Sequence, residues 1–359
     1  MSTSEVRSDS RAGTEGQPER VLVTGAAGFI GSHLCERLLA DGHAVWALDN
    51  LDPFYSPDVK RANLETALAH PRMHFVEGDI RDGVLLDGLF GSVPFDTVVH
   101  LAARPGVRPS IEEPELCFDV NVAGTVSVLQ AMRRHHVSLL LLGSSSSVYG
   151  ETDEVPFREE MAADRPISPY AASKRAAELI CHSYHHLYRL SVYCLRFFTV
   201  YGPRQRPDLA IHKFVRLMAA GEKIPVYGDG SSGRDYTYID DIIEGVVRAL
   251  ARLRGEARSG PVFHTLNLGR SDPIQLSELV RLLGRELGIR PRVDRLPMQP
   301  GDVSITFASA ENAESVLGYT PRVEIEEGVR RFVEWFRAQE SSGGSDGVAV
   351  AGLSRSASR

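Results

Sequence analysis

The sequence predicts an α/β protein with a doubly wound parallel sheet, followed by a smaller α/β region. Three observations predict this fold class. Short apolar runs alternate with amphipathic segments, a glycine-rich turn follows the first run, and the pattern changes after residue 200. Several runs are apolar on both faces, as strands covered by helices on both sides are. Strands that alternate with helices favour a parallel sheet with right-handed crossovers.

The apolar runs of the first half are the predicted strands of this sheet. The segments between them are long enough for helices. In the first segment, Ile30, Leu34 and Leu38 recur at helical spacing, and Gly42 stands where a helix would end. The runs cover residues 21–24, 44–49, 73–77, 97–101, 139–142 and 192–200.

Beyond residue 200, glycine and proline become frequent, and the spacing predicts helices at about 211–220, 239–253, 273–287 and 325–338. Asp272 and Pro273 have the residue types of a helix N-cap and first turn. We therefore expect a first domain and a smaller second domain, with one segment crossing back to the first sheet. The expected ranges are 20–200 for the first domain, 201–340 for the second, 234–269 for the returning segment, and 1–19 and 341–359 for flexible tails.

Composition excludes several classes of protein. The chain has 359 residues, of which 43% are apolar and 24% charged, with a net charge of −7. These values are typical of a globular protein and argue against nucleic acid or an anionic membrane as a partner. The four cysteines are far apart, which fits a reduced, cytoplasmic protein. The histidines beside Cys181 lack an acidic third ligand, so we expect no metal site.

The glycine-rich turn directly follows the first predicted strand. Gly25 permits a tight turn, Gly28 lets phosphates approach the backbone, and Gly31 lets the next helix pack closely on the strand. Asp49 ends the second predicted strand, where a carboxylate accepts a hydrogen bond from a ribose 2′-hydroxyl and repels a 2′-phosphate. The pattern therefore predicts a Rossmann domain that binds NAD in preference to NADP.

A second group of residues has the composition of a proton-transfer site. The run 143–150 is rich in serine and follows a predicted strand, and Tyr170 and Lys174 share one face of a later helix. A nearby ammonium favours the phenolate and lowers the pKa of the tyrosine. Such a phenolate can remove the proton of a sugar hydroxyl while hydride leaves the same carbon, and a serine hydroxyl can bind the same oxygen.

Together these motifs resemble the extended short-chain dehydrogenase/reductase superfamily, in its nucleotide-sugar epimerase/dehydratase branch, over about residues 20–337. The resemblance implies a catalytic triad of Ser145, Tyr170 and Lys174, a UDP-sugar substrate, and a homodimer formed through two helices of each subunit. The motifs that carry it, besides those above, lie at 78–82, 100–103, 195–203 and 228–235, together with Asn121.

The resemblance also implies which residues hold NAD. In this branch Asp79 and Ile80 flank the adenine, and the alanines after the fourth strand line the cofactor cleft. The implied cofactor-binding residues are Gly25, Gly28, Phe29, Ile30, Gly31, Asp49, Asn50, Asp79, Ile80, Leu101, Ala102, Ala103, Asn121, Ser144, Tyr170, Lys174 and Phe198.

Within the branch, the chain is most similar to the UDP-glucuronate 4-epimerase group, through residues 103–110, 196–208 and 299–303. A glucuronate carboxylate needs hydrogen-bond donors, and hydroxyl and guanidinium groups stand at the matching positions. Arg234 is expected near the nucleotide phosphates. The implied substrate contacts are Arg108, Ser145, Ser146, Ser147, Thr199, Arg206, Lys213, Val226, Tyr227, Arg234 and Asp302.

The residue at position 147 helps to separate epimerases from related decarboxylases and dehydratases. Related decarboxylases and dTDP-glucose dehydratases usually carry an acidic residue there, whereas this chain has Ser147. Oxidation at C4 of glucuronate gives a β-keto acid that loses CO2 readily, so an epimerase must hold the carboxylate firmly. The alternatives that stay open are UDP-glucuronate decarboxylation and 4-epimerisation of UDP-glucose or UDP-N-acetylglucosamine. A non-catalytic NAD-sensing module is disfavoured because Ser145, Tyr170 and Lys174 are all present.

Overall fold

The computed structural model describes residues 18–297 and 303–342. The expected tails therefore lie outside the described residues, apart from two positions at each end. The strands are β1 (Arg20–Thr24), β2 (Ala44–Asp49), β3 (Met73–Glu77), β4 (Thr97–His100), β5 (Leu139–Ser145), β6 (Ser191–Phe197), β7 (Thr199–Tyr201), β8 (Ile224–Tyr227), β9 (Gly233–Tyr238), β10 (Phe263–Leu268), β11 (Pro273–Gln275) and β12 (Val293–Leu296).

Helices cover both faces of the large sheet. A π-helical turn at Asp119–Ala123 and a 3₁₀ turn at Ser146–Tyr149 complete the helical segments. The α-helices are α1 (Phe29–Ala40), α2 (Pro57–Leu68), α3 (Gly83–Ser92), α4 (Val107–Glu112), α5 (Pro114–Phe118), α6 (Gly124–Arg134), α7 (Pro169–Tyr188), α8 (Ala210–Ala219), α9 (Ile239–Ala257), α10 (Leu276–Leu287), α11 (Glu311–Leu317) and α12 (Ile325–Ser342).

Seven parallel strands form the large sheet, in the order β10-β6-β5-β4-β1-β2-β3. The fold class predicted from the sequence is therefore confirmed. Strand β1 lies between β2 and β4, so the connections run in opposite directions on its two sides. A crevice forms outside the carboxyl ends of the strands at such a switch point, and ligands of this fold bind there.

Two small sheets, with order β11-β9-β7 and β12-β8, lie beyond the large one. Helix α9 packs against β5 and β6, and β10 then joins the large sheet beside β6. One buried apolar cluster runs through both regions and includes Val23, Leu34, Leu268, Leu283 and Phe332. The domain boundaries stay a prediction, and this topology favours the expected return of the chain to the first sheet.

Several element boundaries differ from the sequence prediction. The strand in the run 97–101 ends at His100, and the run 192–200 is two strands, since β6 ends at Phe197 and β7 joins a different sheet. The predicted N-cap at Asp272 is wrong. Residues Pro273–Gln275 form an edge strand, antiparallel to β9, and helix α10 begins at Leu276. Proline lacks an N–H, and an edge strand tolerates that loss on its outer side.

None of the helices within the described ranges combines the length and apolar character that a membrane span requires.

Candidate active site

A cleft of about 420 Å³ lies at the carboxyl ends of the central strands. This volume falls within the range of about 300–1,000 Å³ that is typical of small-molecule and cofactor sites. The walls of the cleft come from the glycine turn, the loops after β2 and β4, the serine-rich end of β5, the start of α7, and the segment around β7.

The glycine turn forms one wall of the cleft. Gly25 has a φ of +69°, and a Cβ added to it would lie 2.7 Å from the backbone nitrogen of Ala102. At Gly31 an added Cβ would lie 2.8 Å from the Cα of Ala26. Gly28 precedes helix α1 without a side-chain cap, so the first N–H groups of the helix remain available to a ligand. A helix N-terminus of this kind binds a pyrophosphate, so the cradle fits NAD.

Asp49 is fixed at the carboxyl end of β2. One carboxylate oxygen accepts a hydrogen bond from the Ala27 N–H at 3.0 Å, and the other accepts one from the Leu51 N–H at 2.8 Å. Burial raises the pKa of Asp49, and the charge of Lys60 opposes that shift. Because a carboxylate oxygen has more than one acceptor site, the group can still accept a ribose hydroxyl.

The wall that contains the glycine turn and Asp49, here called the cofactor wall, carries a second carboxylate at its far end. Asp79 accepts hydrogen bonds from the Asn50 amide at 2.9 Å and from the Arg81 guanidinium at 2.7 Å. The Arg81 hydrogen bond lowers the pKa of Asp79 to about 2. The next residue, Ile80, is buried and lines the cleft. This part of the cleft therefore offers an apolar surface beside a fixed negative charge.

Tyr170 and Lys174 project from the first turns of α7. Ser168 caps this helix by accepting a hydrogen bond from the Ala171 N–H at 3.1 Å, and Pro169 occupies its first position. The Lys174 ammonium donates to the Gly143 carbonyl at 2.8 Å. Burial lowers the pKa of Lys174 to about 8. The helix thus ties the phenol and the ammonium to the end of β5.

The charge that acts on Tyr170 differs from the sequence expectation. Burial raises the pKa of the Tyr170 phenol, while the Ser145 hydroxyl and the Arg206 guanidinium act to lower it. Lys174 was the expected source of positive charge, but its ammonium is engaged at the strand end. Arg206, from the loop after β7, therefore provides a positive charge that favours the phenolate.

A buried ion pair supports the serine end of β5. The Ser144 hydroxyl donates to Glu178 at 2.6 Å, and Glu178 accepts two hydrogen bonds from Arg196, both at 2.9 Å. Glu178 follows Lys174 by one turn of α7. Burial acts to raise the pKa of Glu178, but the Arg196 hydrogen bonds hold it below its usual value. The pair joins α7 to β6, and we expect it to keep the Tyr170 and Lys174 side chains in place.

The other wall of the cleft carries hydroxyl and guanidinium donors. The Ser145 hydroxyl donates to the Ser147 hydroxyl at 3.1 Å. Arg206 donates to Asp208 from two nitrogens, at 3.0 and 2.9 Å, and lies 5.4 Å from the ring centre of Phe54. Ser146 and Thr199 line the same wall. This set of donors is suited to an anionic ligand group near Tyr170.

Most of the residues predicted for the site line this one cleft. They are Gly25, Gly28, Phe29, Ile30, Gly31, Asp49, Asn50, Asp79, Ile80, Leu101, Ala102, Ala103, Ser144, Ser145, Ser146, Ser147, Tyr170, Lys174, Phe198, Thr199 and Arg206.

Of the seven other predicted residues, six do not line the cleft and the seventh lies outside the described residues. Asn121 lies beneath the cleft in the π-helical turn, where its amide donates to the Ser173 hydroxyl at 2.9 Å. The Arg108 guanidinium stacks over the ring of Tyr227, 4.7 Å from the ring centre. Burial lowers the pKa of Lys213, and the charge of Arg108 lowers it further, so these three residues form a separate group. Val226 belongs to β8 and Arg234 to β9. Asp302 lies outside the described residues.

The sequence reasoning missed the loop after β2. Asp52, Phe54, Tyr55 and Lys60 all line the cleft, and Arg104 reaches Asp52 from the loop after β4 at 2.6 Å. The signal in the sequence that these residues line the cleft was their position directly after Asp49, the carboxylate at the end of β2. Nothing in the local pattern shows that this loop folds back across the cleft, because that path depends on partners distant in the sequence.

Comparisons with known proteins identify the family. The family model described as GDP-mannose 4,6 dehydratase matches residues 22–332. A curated relative, UDP-glucuronate 4-epimerase 3 of Arabidopsis thaliana, is 40% identical over 350 residues, which cover 94% of this chain and 81% of the relative.

Two solved structures extend the comparison. The UDP-glucuronic acid 4-epimerase of Bacillus cereus, in complex with UDP-glucuronic acid and NAD, is 33% identical with a TM-score of 0.83, covering 89% of this chain and 99% of that one. The dTDP-glucose 4,6-dehydratase DesIV of Streptomyces venezuelae, with NAD bound, is 34% identical with a TM-score of 0.82, covering 90% and 98%. Because the two scores are nearly equal, the overall fold does not separate the two activities.

Proposed function

The chain belongs to the NAD-dependent epimerase/dehydratase family of extended short-chain dehydrogenases/reductases, and we propose that it converts UDP-glucuronate to UDP-galacturonate by inversion at C4. The family fixes an enzyme that uses NAD and acts on nucleotide sugars. The choice of sugar and of reaction rests on the side chains around Tyr170.

The residues of this chain supply proton transfer and orientation. Tyr170, as phenolate, takes the proton of the C4 hydroxyl, while the Ser145 hydroxyl binds the same oxygen. Bound NAD would accept the hydride from C4 and later return it. The resulting 4-keto sugar rotates about its pyrophosphate link and presents its other face. Tyr170 then returns the proton to the oxygen, which completes the inversion.

One observation carries the choice of epimerisation. The side chain beside Ser145 at position 147 is a hydroxyl, 3.1 Å away, and not a carboxyl. Within the described ranges, the carboxylates that line the cleft are Asp49, Asp52 and Asp79, all on the cofactor side. None of these three described carboxylates lies at the reacting end, where an acid could assist elimination. This supports epimerisation, in which the proton returns to the C4 oxygen from which it was removed.

The donor wall supports glucuronate as the sugar. Arg206 is held by Asp208 on two of its nitrogens, which fixes the plane of the guanidinium. We propose that Arg206, Ser146, Ser147 and Thr199 hold the C6 carboxylate. A carboxylate held in place resists loss of CO2 from the β-keto acid, because its departure needs a different orientation of the C–C bond.

We propose that the nucleotide binds to the separate group of Arg108, Tyr227 and Lys213. Arg108 and Tyr227 stack together, and Lys213 lies near the positive charge of Arg108. Cations next to an aromatic face suit a pyrophosphate and a base. The remaining contacts proposed for UDP are Val226, Arg234 and Asp302.

The direct test is product analysis. Purified protein is incubated with UDP-glucuronate, and nucleotide sugars are separated while released CO2 is measured. UDP-galacturonate without CO2 is expected. UDP-xylose with CO2 would show a decarboxylase, and turnover of UDP-glucose alone would show a neutral-sugar epimerase. Absence of turnover for all of these would contradict the catalytic assignment.

We also propose a homodimer formed through α5 and α7. These helices expose Phe118 (40% exposed), Leu179 (54%) and Leu187 (64%), which are large apolar side chains. Exposed apolar side chains grouped on adjacent helices favour a contact with another protein surface. Light scattering should give twice the chain mass. Leu179→Lys together with Leu187→Lys should give the monomer, and a monomeric parent protein would contradict the proposal.

A further inference from the structure

Lys60 is a buried cation on the cofactor side of the cleft. It lies in the first turn of α2, lines the cleft together with Asp49, and is only 7% exposed. Its ammonium lies 4.9 Å from the ring centre of Tyr55. A lysine is almost never this buried without a partner.

The other cations of the cleft are already engaged. Arg104 pairs with Asp52 and Glu113, Arg206 pairs with Asp208, and Lys174 donates to a carbonyl. The Lys60 backbone N–H donates to the Ser56 carbonyl, but among the residues that the structure describes none forms a hydrogen bond or an ion pair with the Lys60 ammonium. Its donors are therefore available to a ligand in the cleft.

The charges around Lys60 act on its pKa in both directions. Burial lowers the pKa of Lys60, while the carboxylates of Asp49 and Asp52 act to raise it. Arg104 and Arg206 act in the same direction as burial, and each is also paired with a carboxylate of its own. The field that an arriving ligand meets at Asp49 thus contains one fixed negative charge and one free positive charge.

These two charges have opposite effects on a phosphorylated ribose. A carboxylate at this position accepts the ribose 2′-hydroxyl of NAD and repels the 2′-phosphate of NADP, whereas a nearby cation accommodates that phosphate. We propose that Lys60 is a specificity-determining residue for the cofactor: it offsets the repulsion by Asp49, so that the chain discriminates against NADP less than Asp49 alone would dictate. The proposal concerns the dinucleotide and does not depend on which sugar is the substrate.

The test measures binding and does not require turnover. Dissociation constants of NADH and NADPH are measured by fluorescence titration of the dialysed full-length protein, and the ratio of the NADPH to the NADH constant is compared between variants. Lys60→Met should raise this ratio roughly tenfold, because the 2′-phosphate then meets Asp49 without compensation. Lys60→Arg keeps the charge and should leave the ratio within about twofold of the parent protein.

Two further variants separate charge from structure. Arg61 follows Lys60 on the same helix, is exposed and pairs with Glu77 at 3.2 Å, so Arg61→Gln removes one positive charge away from the cleft. This control should leave the ratio unchanged. In an Asp49→Asn background, Lys60→Met should still raise the ratio, since the direct attraction to the phosphate is lost there too.

Two results would overturn the proposal. One is an unchanged ratio in Lys60→Met, whether or not both dinucleotides bind more weakly, and the other is a ratio that moves as much in Arg61→Gln. If Lys60→Met does not fold, a shifted ratio in Lys60→Arg of more than about tenfold would overturn it as well. A failure here leaves the product test of the sugar reaction unaffected.

Discussion

The two walls of the cleft are built in different ways. The cofactor wall is mainly backbone: a turn with Gly25 at φ +69°, the uncapped start of α1, and Asp49 fixed by two N–H groups. The opposite wall, which we propose for the sugar, is mainly side chains, with Arg206 oriented by Asp208 and serine hydroxyls at the end of β5. A backbone wall has one shape and tolerates little change. A side-chain wall can be altered residue by residue, which lets one fold act on different sugars.

The largest expected effect lies where the two walls meet. Tyr170→Phe removes the hydroxyl that we propose transfers the proton, and the rate should fall roughly 100- to 10,000-fold. Bound NAD, measured after acid release, should be unchanged because the backbone wall is intact. Tyr184 lies on the same helix and its hydroxyl contacts Gln130, away from the cleft, so Tyr184→Phe should keep the parent rate. A Tyr170→Phe protein with more than a tenth of the parent rate would break the assignment.

Next in size is a change of the backbone wall. In Gly25→Ala, the added Cβ meets the backbone of Ala102 and the residue keeps a positive φ, so we expect a loss of about 1–3 kcal/mol in stability and a marked loss of bound NAD. Gly88, in α3, has nothing within 4 Å of an added Cβ. Gly88→Ala should therefore be neutral or stabilise by about 0.5–1 kcal/mol. Urea unfolding and cofactor content measure both variants. Equal behaviour of the two would show that the turn does not hold the cofactor.

A smaller effect is expected on the side-chain wall. Arg206→Lys keeps the charge but loses the two-point contact with Asp208. Losing a hydrogen bond to a charged group costs about 1.5 kcal/mol, which corresponds to roughly tenfold in KM for UDP-glucuronate.

Inhibition by UDP, which has no sugar carboxylate, should be unchanged in this variant. Arg204→Lys is the control, since Arg204 pairs with Glu36 and does not line the cleft. If inhibition by UDP weakens as much as KM rises, Arg206 acts on the nucleotide and not on the sugar.

The smallest effect is a dependence of stability on pH. The pKa of Asp79 is about 2 in the folded protein, below the ordinary value of 3.8, chiefly through the Arg81 hydrogen bond. A lowered pKa contributes stability above the unfolded pKa, and this contribution is lost as pH falls through the folded pKa. Because the pair is partly exposed, solvent screening limits it to about 1 kcal/mol or less.

Asp79→Asn should therefore destabilise the protein at pH 6, and the difference from the parent protein should shrink at pH 3. Urea unfolding at the two pH values measures it. A difference that stays constant with pH would show that the contacts of Asp79 do not depend on its charge.

The sequence anticipated the cofactor wall better than the rest of the site. Gly25, Gly28, Gly31 and Asp49 follow directly from a strand, a turn and a second strand, all within one short segment. Local spacing is enough there because the contacts are made by backbone groups close in the chain. Asp272 shows the limit of such reasoning. Its pattern is that of an N-cap, but pairing of β11 with the distant β9 takes the next three residues into a strand.

By itself, the sequence determined the parallel sheet, the phosphate turn and the presence of Ser145, Tyr170 and Lys174, because periodicity and glycine spacing act over short distances. Only the tertiary structure decided which charges meet in the cleft. It directed Lys174 to the Gly143 carbonyl, placed Arg206 where its charge reaches Tyr170, and left Lys60 free beside Asp49. These pairings join residues far apart in the chain, and their strength depends on burial, which has no local signal in the sequence.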